Sequence, residues 1–416
     1  MRFLHTADWH LGQTFYEYDR TNEHLAFFEW LKNTIEKKQI DVLLVAGDIF
    51  DTANPSAHTI RLFYDFINHI SKKHPKLQAF FIAGNHDSAI RLETPIPLLT
   101  ETNIHLIGQV RKTAQQTIDY EQLIYPIQQN QETIAYCLAV PFLRLGDYPK
   151  SQHGGYDYVE GIERFYQEIL DIAEEIAEGK PIISMGHLHA SGVDYATNNT
   201  AERAIMGGIE GLNVSQLAQK ADYWAFGHIH KPQAVAGIPH VRYSGSPIPL
   251  SFSEINYPHQ VVIFDIIDNH LQNIEEILIP VSVPLLNIPE TGHKDFAYIL
   301  QEITRLPDKN PDDNVDYPYL QVRVLMEKPN PEMKVKLQEA LATKAVRLAK
   351  IDARLRSTLV SKSSEKETYF IDLQNITPKD VLSKSFEKKY HEPLPENYET
   401  MLEEILAHIN QKKNQH

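Results

Sequence analysis

The sequence predicts an α/β fold in which two sheets pack together with helices outside, followed by a smaller α+β unit and C-terminal helices. Three observations carry that prediction. From residue 1 to about 110, apolar strand-like runs alternate with amphipathic helical stretches, the rhythm of a mostly parallel sheet. Strand-like runs then dominate, with one helix among them. Finally, the prolines of "ILIPVSVPLLNIP" mark a domain boundary near residues 283–290.

The first strand is "FLHTAD". Residues 22–38 place Leu25, Phe28, Leu31 and Ile35 at helical spacing. "DVLLVAG" is the continuous apolar run of a strand covered on both faces. Asn54 and Pro55 read as the N-cap and first turn of a helix reaching about residue 72. "LQAFFIAG" and "IHLIG" are the next strands, with a short helical stretch between them. Beyond residue 115, "ETIAYCLAV", "PIISMG", "DYWAFG", "HVRYSG" and "QVVIFDI" are strand-like, and a helix over about 159–177 interrupts them. The unit from 283 to 360 shows a helix near 295–304 and strands near 318–326 and 345–352. "SKSSEKE" begins a linker over 361–375. Thr377-Pro378 then opens a helix marked by Val381, Leu382, Phe386 and Tyr390. A second helix, near 396–411, carries Met401, Leu402, Ile405, Leu406 and Ile409. Helices this short need packing for stability, so they either dock on their own domain or bind a partner's helices, the partner being the favoured reading. The expected domains are therefore 1–282, 283–360, the linker, and a helical segment over 376–416.

Composition narrows the class. With 42% hydrophobic and 23% charged residues among 416, the chain has the make-up of a globular protein. No apolar run approaches the roughly 18 residues of a membrane span. "MRFLHTADWH" reaches His5 and Asp8 before an export signal could form. Cys137 is the only cysteine, which excludes internal disulfides and Cys-based zinc sites and suits a reducing cytoplasm. A net charge of −15 argues against bulk attraction to nucleic acid. A local exception is the stretch 334–362, where Lys334, Lys336, Lys344, Arg347, Lys350, Arg354, Arg356 and Lys362 face only Glu339 and Asp352, a net of +6. It reads either as a solvated helix face or as a contact for nucleic acid.

Chemistry gathers at the strand ends. "TADWH" supplies Asp8 and His10, spaced i and i+2 so that on a strand both would point to one side. "AGDIFD" supplies Asp48, and "FFIAGNHD" supplies Asn85 and His86. "SMGHLH" supplies His187, and "AFGHIHK" supplies His228 and His230. Each group sits at the trailing end of an apolar strand, the edge where open α/β sheets bind ligands. Carboxylates, imidazoles and an amide oxygen without thiolates suit Mn²⁺, Fe²⁺ or Zn²⁺ better than Ca²⁺. Asp48 is the natural bridge between two ions roughly 3.5–4 Å apart, an arrangement that clamps a phosphate and acidifies a water. His86, not needed as a ligand, is free to act as a general acid. His5, His58 and His189 lack this positional support and read as structural or solvated.

The order DxH, GDxxD, GNHD, GH, GHxH resembles the signature of the calcineurin-like metallophosphoesterase superfamily. "HTADWHLGQ", "AGDIFD", "HVRYSGSPIPLSFSE" and "AFGHIHKPQ" narrow the resemblance to the nuclease D subunits of bacterial SbcCD complexes, over residues 1 to about 265. The resemblance implies a four-layer αββα sandwich with two Mn²⁺ ions, for which Mg²⁺ can substitute. Asp8, His10, Asp48 and His230 would hold one ion, and Asp48, Asn85, His187 and His228 the other, with His86 as the acid. It further implies an accessory domain that guides DNA, C-terminal helices that grip the SbcC ATPase, and a homodimer formed through the helix near 55–72 and the segment after 88. Some archaeal and eukaryotic relatives carry histidine three residues after the bridging aspartate. Here that residue is Asp51, so no phosphate-contacting role transfers to it.

Three functions compete. The first is a DNA nuclease in an ATP-driven SbcCD complex, a 3′–5′ exonuclease on double-stranded ends and an endonuclease on hairpins and single strands, serving repair, recombination and replication near the nucleoid. The second is a two-metal phosphatase or cyclic-nucleotide phosphodiesterase, which the residues beyond the catalytic domain disfavour. The third is a non-catalytic scaffold, which the complete ligand set disfavours.

Overall fold

Alternation along the central strands decides the layering. In the computed structural model, which describes residues 1–151, 155–194, 211–310, 316–328 and 330–355, the first sheet runs in the order His270–Leu278, Gln260–Ile267, Arg2–Thr6, Val42–Ala46, Gln78–Ile82, Ile104–Ile107. The last four strands are mutually parallel and the first two are antiparallel additions. Phe3, Val42, Leu44, Phe80 and Ile82 point to a second sheet. Their neighbours Leu4, Leu43, Val45 and Phe81 point the other way, onto helices Thr21–Lys38 and Ala57–Lys73. Both faces are thus dry, which explains why these strands are apolar without interruption.

The second sheet runs Gln233–Ala234, Val241–Tyr243, Tyr223–Gly227, Ile182–His187, Glu132–Ala139, Ile124–Gln129, with a parallel centre and antiparallel edges. Helix Tyr158–Ala177 covers it through Phe165, Tyr166, Ile169 and Ala173. Helices, sheet, sheet and helix make the expected four layers. Trp9 anchors the outer face of the first sheet. Its ring meets Phe27, Phe28, Phe63, Phe66 and Phe81 edge-on at 5.2–6.5 Å, and its indole N–H donates to Thr6 Oγ1 at 3.0 Å. Fully burying one such ring contributes about 1.5–3 kcal/mol, so the strand-end turn that carries Asp8 and His10 is fastened to the core between them.

Two local expectations need correction. The helix expected from Asn54 begins instead at Ala57, capped by Ser56, whose extended backbone lets its hydroxyl accept from the Thr59 N–H at 3.1 Å. Asn54 and Pro55 belong to the preceding turn. The basic stretch is also not one helix face. Its described part splits between helix Met333–Leu341 and strand Arg347–Leu355. Lys336, Lys344, Arg347 and Arg354 pair there with Glu332, Asp308, Asp316 and Asp352. Three of its cations, Lys336, Lys344 and Arg347, are thus paired with acids outside the stretch.

The accessory unit is a parallel sheet of Leu285–Ile288, Tyr319–Met326 and Arg347–Leu355. Helices Phe296–Thr304 and Met333–Leu341 pack on it around Ile299, Ile303, Leu320, Val322, Val324 and Leu337. A buried polar knot fixes it to the first domain. Arg20 grips Glu23 with two nitrogens, the Tyr319 hydroxyl donates to Glu23 at 2.9 Å, and the Arg347 guanidinium lies 4.0 Å from the centre of the Tyr319 ring. Met1–Leu355 accordingly forms one compact unit. The linker and the two C-terminal helices expected over 361–416 lie outside the described residues. No described helix is long and apolar enough to cross a membrane.

Candidate metal centre

The structure brings all eight singled-out residues to one place, where the trailing ends of both sheets meet. Their convergence does not come from strand alternation. Asp8 and His10 lie beyond the strand Arg2–Thr6, in left-handed backbone (φ 54° and 45°), as do Asp48 (φ 47°) and His228 (φ 100°). Non-glycine residues avoid positive φ, and strain of this sort collects at functional sites. Paired backbone holds the turns in register. Asp8 N–H donates to Gly47 O, His10 N–H to Asp48 O, Leu11 N–H to Ile49 O, and Asp51 N–H to Leu11 O, at 2.9–3.1 Å.

Side-chain geometry gathers the cluster into three overlapping groups. Ligating atoms of Asp8, His10 and His230 lie within 4.8 Å of one another, and so do those of Asp8, Asp48 and His187 and those of His10, Asp48 and His86. Asp48 Oδ2 is 3.6 Å from His10 Nε2 and 3.3 Å from His187 Nε2, so one carboxylate oxygen addresses both halves. Asn85 Oδ1 is 3.0 Å from both His187 Nε2 and His228 Nδ1. Asp8 Oδ2 and His10 Nε2 are buried with no hydrogen-bond partner, which is costly unless something else satisfies them. A divalent ion is the group this donor set fits.

The outward nitrogens are also committed. His187 Nδ1 faces Ala46 O at 2.8 Å, His230 Nδ1 faces Glu254 Oε1 at 3.2 Å, and His10 Nδ1 faces Asp51 Oδ1 at 3.1 Å. Oxygens that only accept require the hydrogen on Nδ1, leaving Nε2 as an inward lone pair, the tautomer a metal needs. Burial alone would lower the proton affinity of His187, but Asp48 and Asp8 outweigh it and raise the pKa to about 9. Burial drives His228 well below the ordinary histidine range, favouring the neutral ring. Asp48 would be pushed up by its burial, yet His187, His10 and His86 hold it well below the usual carboxylate range.

His86 is half-buried. Its backbone N–H donates to Asp48 Oδ1 at 2.9 Å, and its Nδ1 faces Asp51 O at 2.8 Å, so Nε2 is its working end. Gly84 lets this turn press directly against Asp48 because it has no side chain. A Cβ there would lie 2.1 Å from Asp48 Oδ1 and 2.2 Å from the Asp48 nitrogen. Asp87 completes it, accepting from the N–H groups of Ile49, Phe50 and Gly84 at 2.8–3.1 Å. Burial and the charge of Asp48 raise its pKa to about 6.

His5 is structural, as expected. It is fully buried, hydrogen-bonded to Tyr223 Oη and Phe226 O, and burial lowers its pKa to about 3. His58 is exposed. His189 is half-buried, its carbonyl accepting from Leu212 N–H. Sequence reasoning missed Glu254 and left Asp87 without a role. Asp87 carried a signal in its place beside Asn85 and His86. Glu254 ends the quoted stretch "HVRYSGSPIPLSFSE", but its contact with His230 spans 24 positions and does not follow from that motif.

Paired sheets with an Asp/His/Asn cluster at their shared end define a metallophosphoesterase. The calcineurin-like phosphoesterase family matches residues 1–232, and the type 5 capsule protein repressor C-terminal domain matches residues 281–390. Among curated relatives, the D subunit of the SbcCD nuclease from Rhodobacter capsulatus is 33% identical over 93% of this chain and 94% of its own length. Its counterpart in Escherichia coli is 34% identical over 68% and 70%, and that in Bacillus subtilis 32% over 69% and 71%. The chain belongs to the calcineurin-like phosphoesterase family and, within it, to the D subunits of SbcCD nucleases. It is a metal-dependent nuclease.

Proposed function

We propose that the chain hydrolyses DNA phosphodiesters at a two-ion centre, as the nuclease component of an ATP-driven complex with the SbcC ATPase. One ion would be held by Asp8, His10, Asp48 and His230, and the other by Asp48, Asn85, His187 and His228. Mn²⁺ is the metal in this reading, with Mg²⁺ able to substitute. Ions bound there supply charge against phosphate oxygens and acidify a water. The chain's own residues do the rest. His86 presents a protonated Nε2 to the leaving 3′ oxygen, because Asp51 O occupies its Nδ1, and the P–O bond breaks as that proton transfers. The observation that carries the reading is the pair of orphaned buried atoms, Asp8 Oδ2 and His10 Nε2, inside a cluster bridged by Asp48.

The DNA reading draws on the accessory domain. A groove of about 550 Å³ runs between the loop at Ser251–Ser253 and the accessory sheet, lined by Tyr16, by His293 and Asp352, which face each other at 2.9 Å, and by the cations Arg323, Lys350 and Arg354. Those cations suit a phosphate backbone. In this reading the enzyme works as a 3′–5′ exonuclease on double-stranded ends and an endonuclease on hairpins. It acts in the cytoplasm at the nucleoid, as a homodimer within a heterotetramer whose SbcC contact is the C-terminal segment. A phosphatase reading has no use for the groove.

The test is Mn²⁺-dependent cleavage of a labelled linear duplex and a hairpin, with and without SbcC, comparing wild type with His86→Gln. The variant should lose about 10²–10⁴-fold in rate while still titrating two ions. Turnover of a small phosphomonoester with no DNA cleavage under any condition would establish the phosphatase instead.

A further inference from the structure

We propose that Asp51 is a positioning residue that locks a metal ligand and the proton donor to a single point of the backbone. This inference rests on the reading of His10 as a ligand and His86 as the acid. Asp51 uses two different groups. Its carboxylate Oδ1 lies 3.1 Å from His10 Nδ1, and its main-chain carbonyl lies 2.8 Å from His86 Nδ1. The two rings meet edge-on with centroids 4.8 Å apart. Neither could rotate independently while both nitrogens remain engaged.

The backbone of Asp51 is itself fixed. Its N–H donates to Leu11 O at 3.1 Å, and Leu11 N–H donates to Ile49 O at 2.9 Å. The turn bearing His10 and the turn bearing Asp48 are thereby one unit, with Asp51 at its end. A carboxylate behind an imidazole sets the tautomer, orients the ring and raises its basicity, and losing such a partner typically lowers metal affinity 10–100-fold. The carbonyl contact holds the His86 Nδ1 hydrogen, so the proton for the leaving group sits on Nε2. One residue therefore sets the angle of a ligand and the aim of the acid. The Asp51 side chain is 28% exposed, which leaves room for substitution without opening a core cavity.

The experiment titrates Mn²⁺ into the full chain calorimetrically, for wild type, Asp51→Ala, Asp51→Asn and Asp8→Asn, with thermal unfolding in chelator as the folding control. Asp51→Ala should bind one ion 10–100-fold more weakly and the other nearly as wild type does. Asp51→Asn keeps an acceptor oxygen in place and should recover most of that affinity, a rescue that a change in packing would not give. Asp51→Ala binding both ions with wild-type affinity, or Asp51→Asn binding as weakly as Asp51→Ala, would overturn the role of Asp51. If Asp8→Asn keeps both ions, the metal reading itself falls, and the two failures are thereby told apart.

Discussion

The strand-end turns of the catalytic domain and the outer face of the accessory sheet are both rich in ionisable groups, yet opposite forces hold them. In the turns, Asp8, His10, Asp48, His187 and His230 are almost wholly buried. Asp8, His10, Asp48 and His228 take backbone conformations that side chains avoid, and Asp8 Oδ2 and His10 Nε2 have no hydrogen-bond partner. In the accessory unit, on the sheet and on the helix beside it, Lys336, Lys344, Arg347 and Arg354 are exposed or half-exposed and paired with nearby acids, an arrangement worth little energetically. Folding alone would never select the first arrangement, and it tolerates the second anywhere. A cluster that is expensive to bury points to a ligand. An exposed basic run does not.

The largest effect that comparison predicts is at Asp48, the residue common to both ion sets. Asp48→Asn should abolish both binding events in a Mn²⁺ titration. Cleavage should fall by ~10³-fold, the equivalent of several kcal/mol of forfeited charge stabilisation at tenfold per 1.36 kcal/mol. Retention of one full-affinity ion would show that Asp48 serves one half only.

Much of this site is legible in the sequence. Asp8, His10, Asp48, Asn85, His86, His187, His228 and His230 stand out because each interrupts an apolar strand at its trailing end, and the two-sheet architecture follows from the runs that precede them. The reason they converge is not legible. Strand alternation would align Asp8 with His10, whereas left-handed turns stapled to the neighbouring turn do so. The contacts of Glu254 and of the Asp51 carbonyl are not legible because they are set by tertiary approach, and a main-chain oxygen carries no residue identity. The basic stretch misleads for the same reason. Asp308 and Asp316, which neutralise two of its cations, both precede it in the chain.

A middle-sized effect separates the two regions through glycine. Gly84→Ala would drive a Cβ into the Asp48 backbone and carboxylate, where no flexible neighbour can yield. We expect about 1–3 kcal/mol of destabilisation, the usual range for overpacking a tight site. It should appear as a lower melting temperature in chelator together with weakened Mn²⁺ binding. Gly292, beside the accessory groove, would meet nothing within 4 Å and suffers only the strain of its positive φ. Gly292→Ala should therefore leave metal binding untouched. Equal metal affinities for wild type and Gly84→Ala would mean that the turn is softer than its packing implies.

The smallest effects belong to the accessory cations, and salt is the tool that resolves them. Arg323 and Lys350 line the groove. Among the described residues the Arg323 guanidinium donates to a main-chain carbonyl, Glu290 O, at 3.1 Å, and the Lys350 ammonium lies 5.7 Å from the Tyr16 ring centre. Removing one phosphate-binding cation should flatten the slope of log affinity against log salt by about 0.9 on duplex DNA. Arg323→Ala and Lys350→Ala should do so additively, with unchanged cleavage of a saturating substrate and unchanged metal titration. Because the whole chain carries −15, DNA binding without SbcC should be weak and, with this steep salt dependence, should fade by about 200 mM salt, recovering when SbcC is added. Tight binding at that salt without SbcC would show that the groove holds more unpaired charge than its ion pairs leave free.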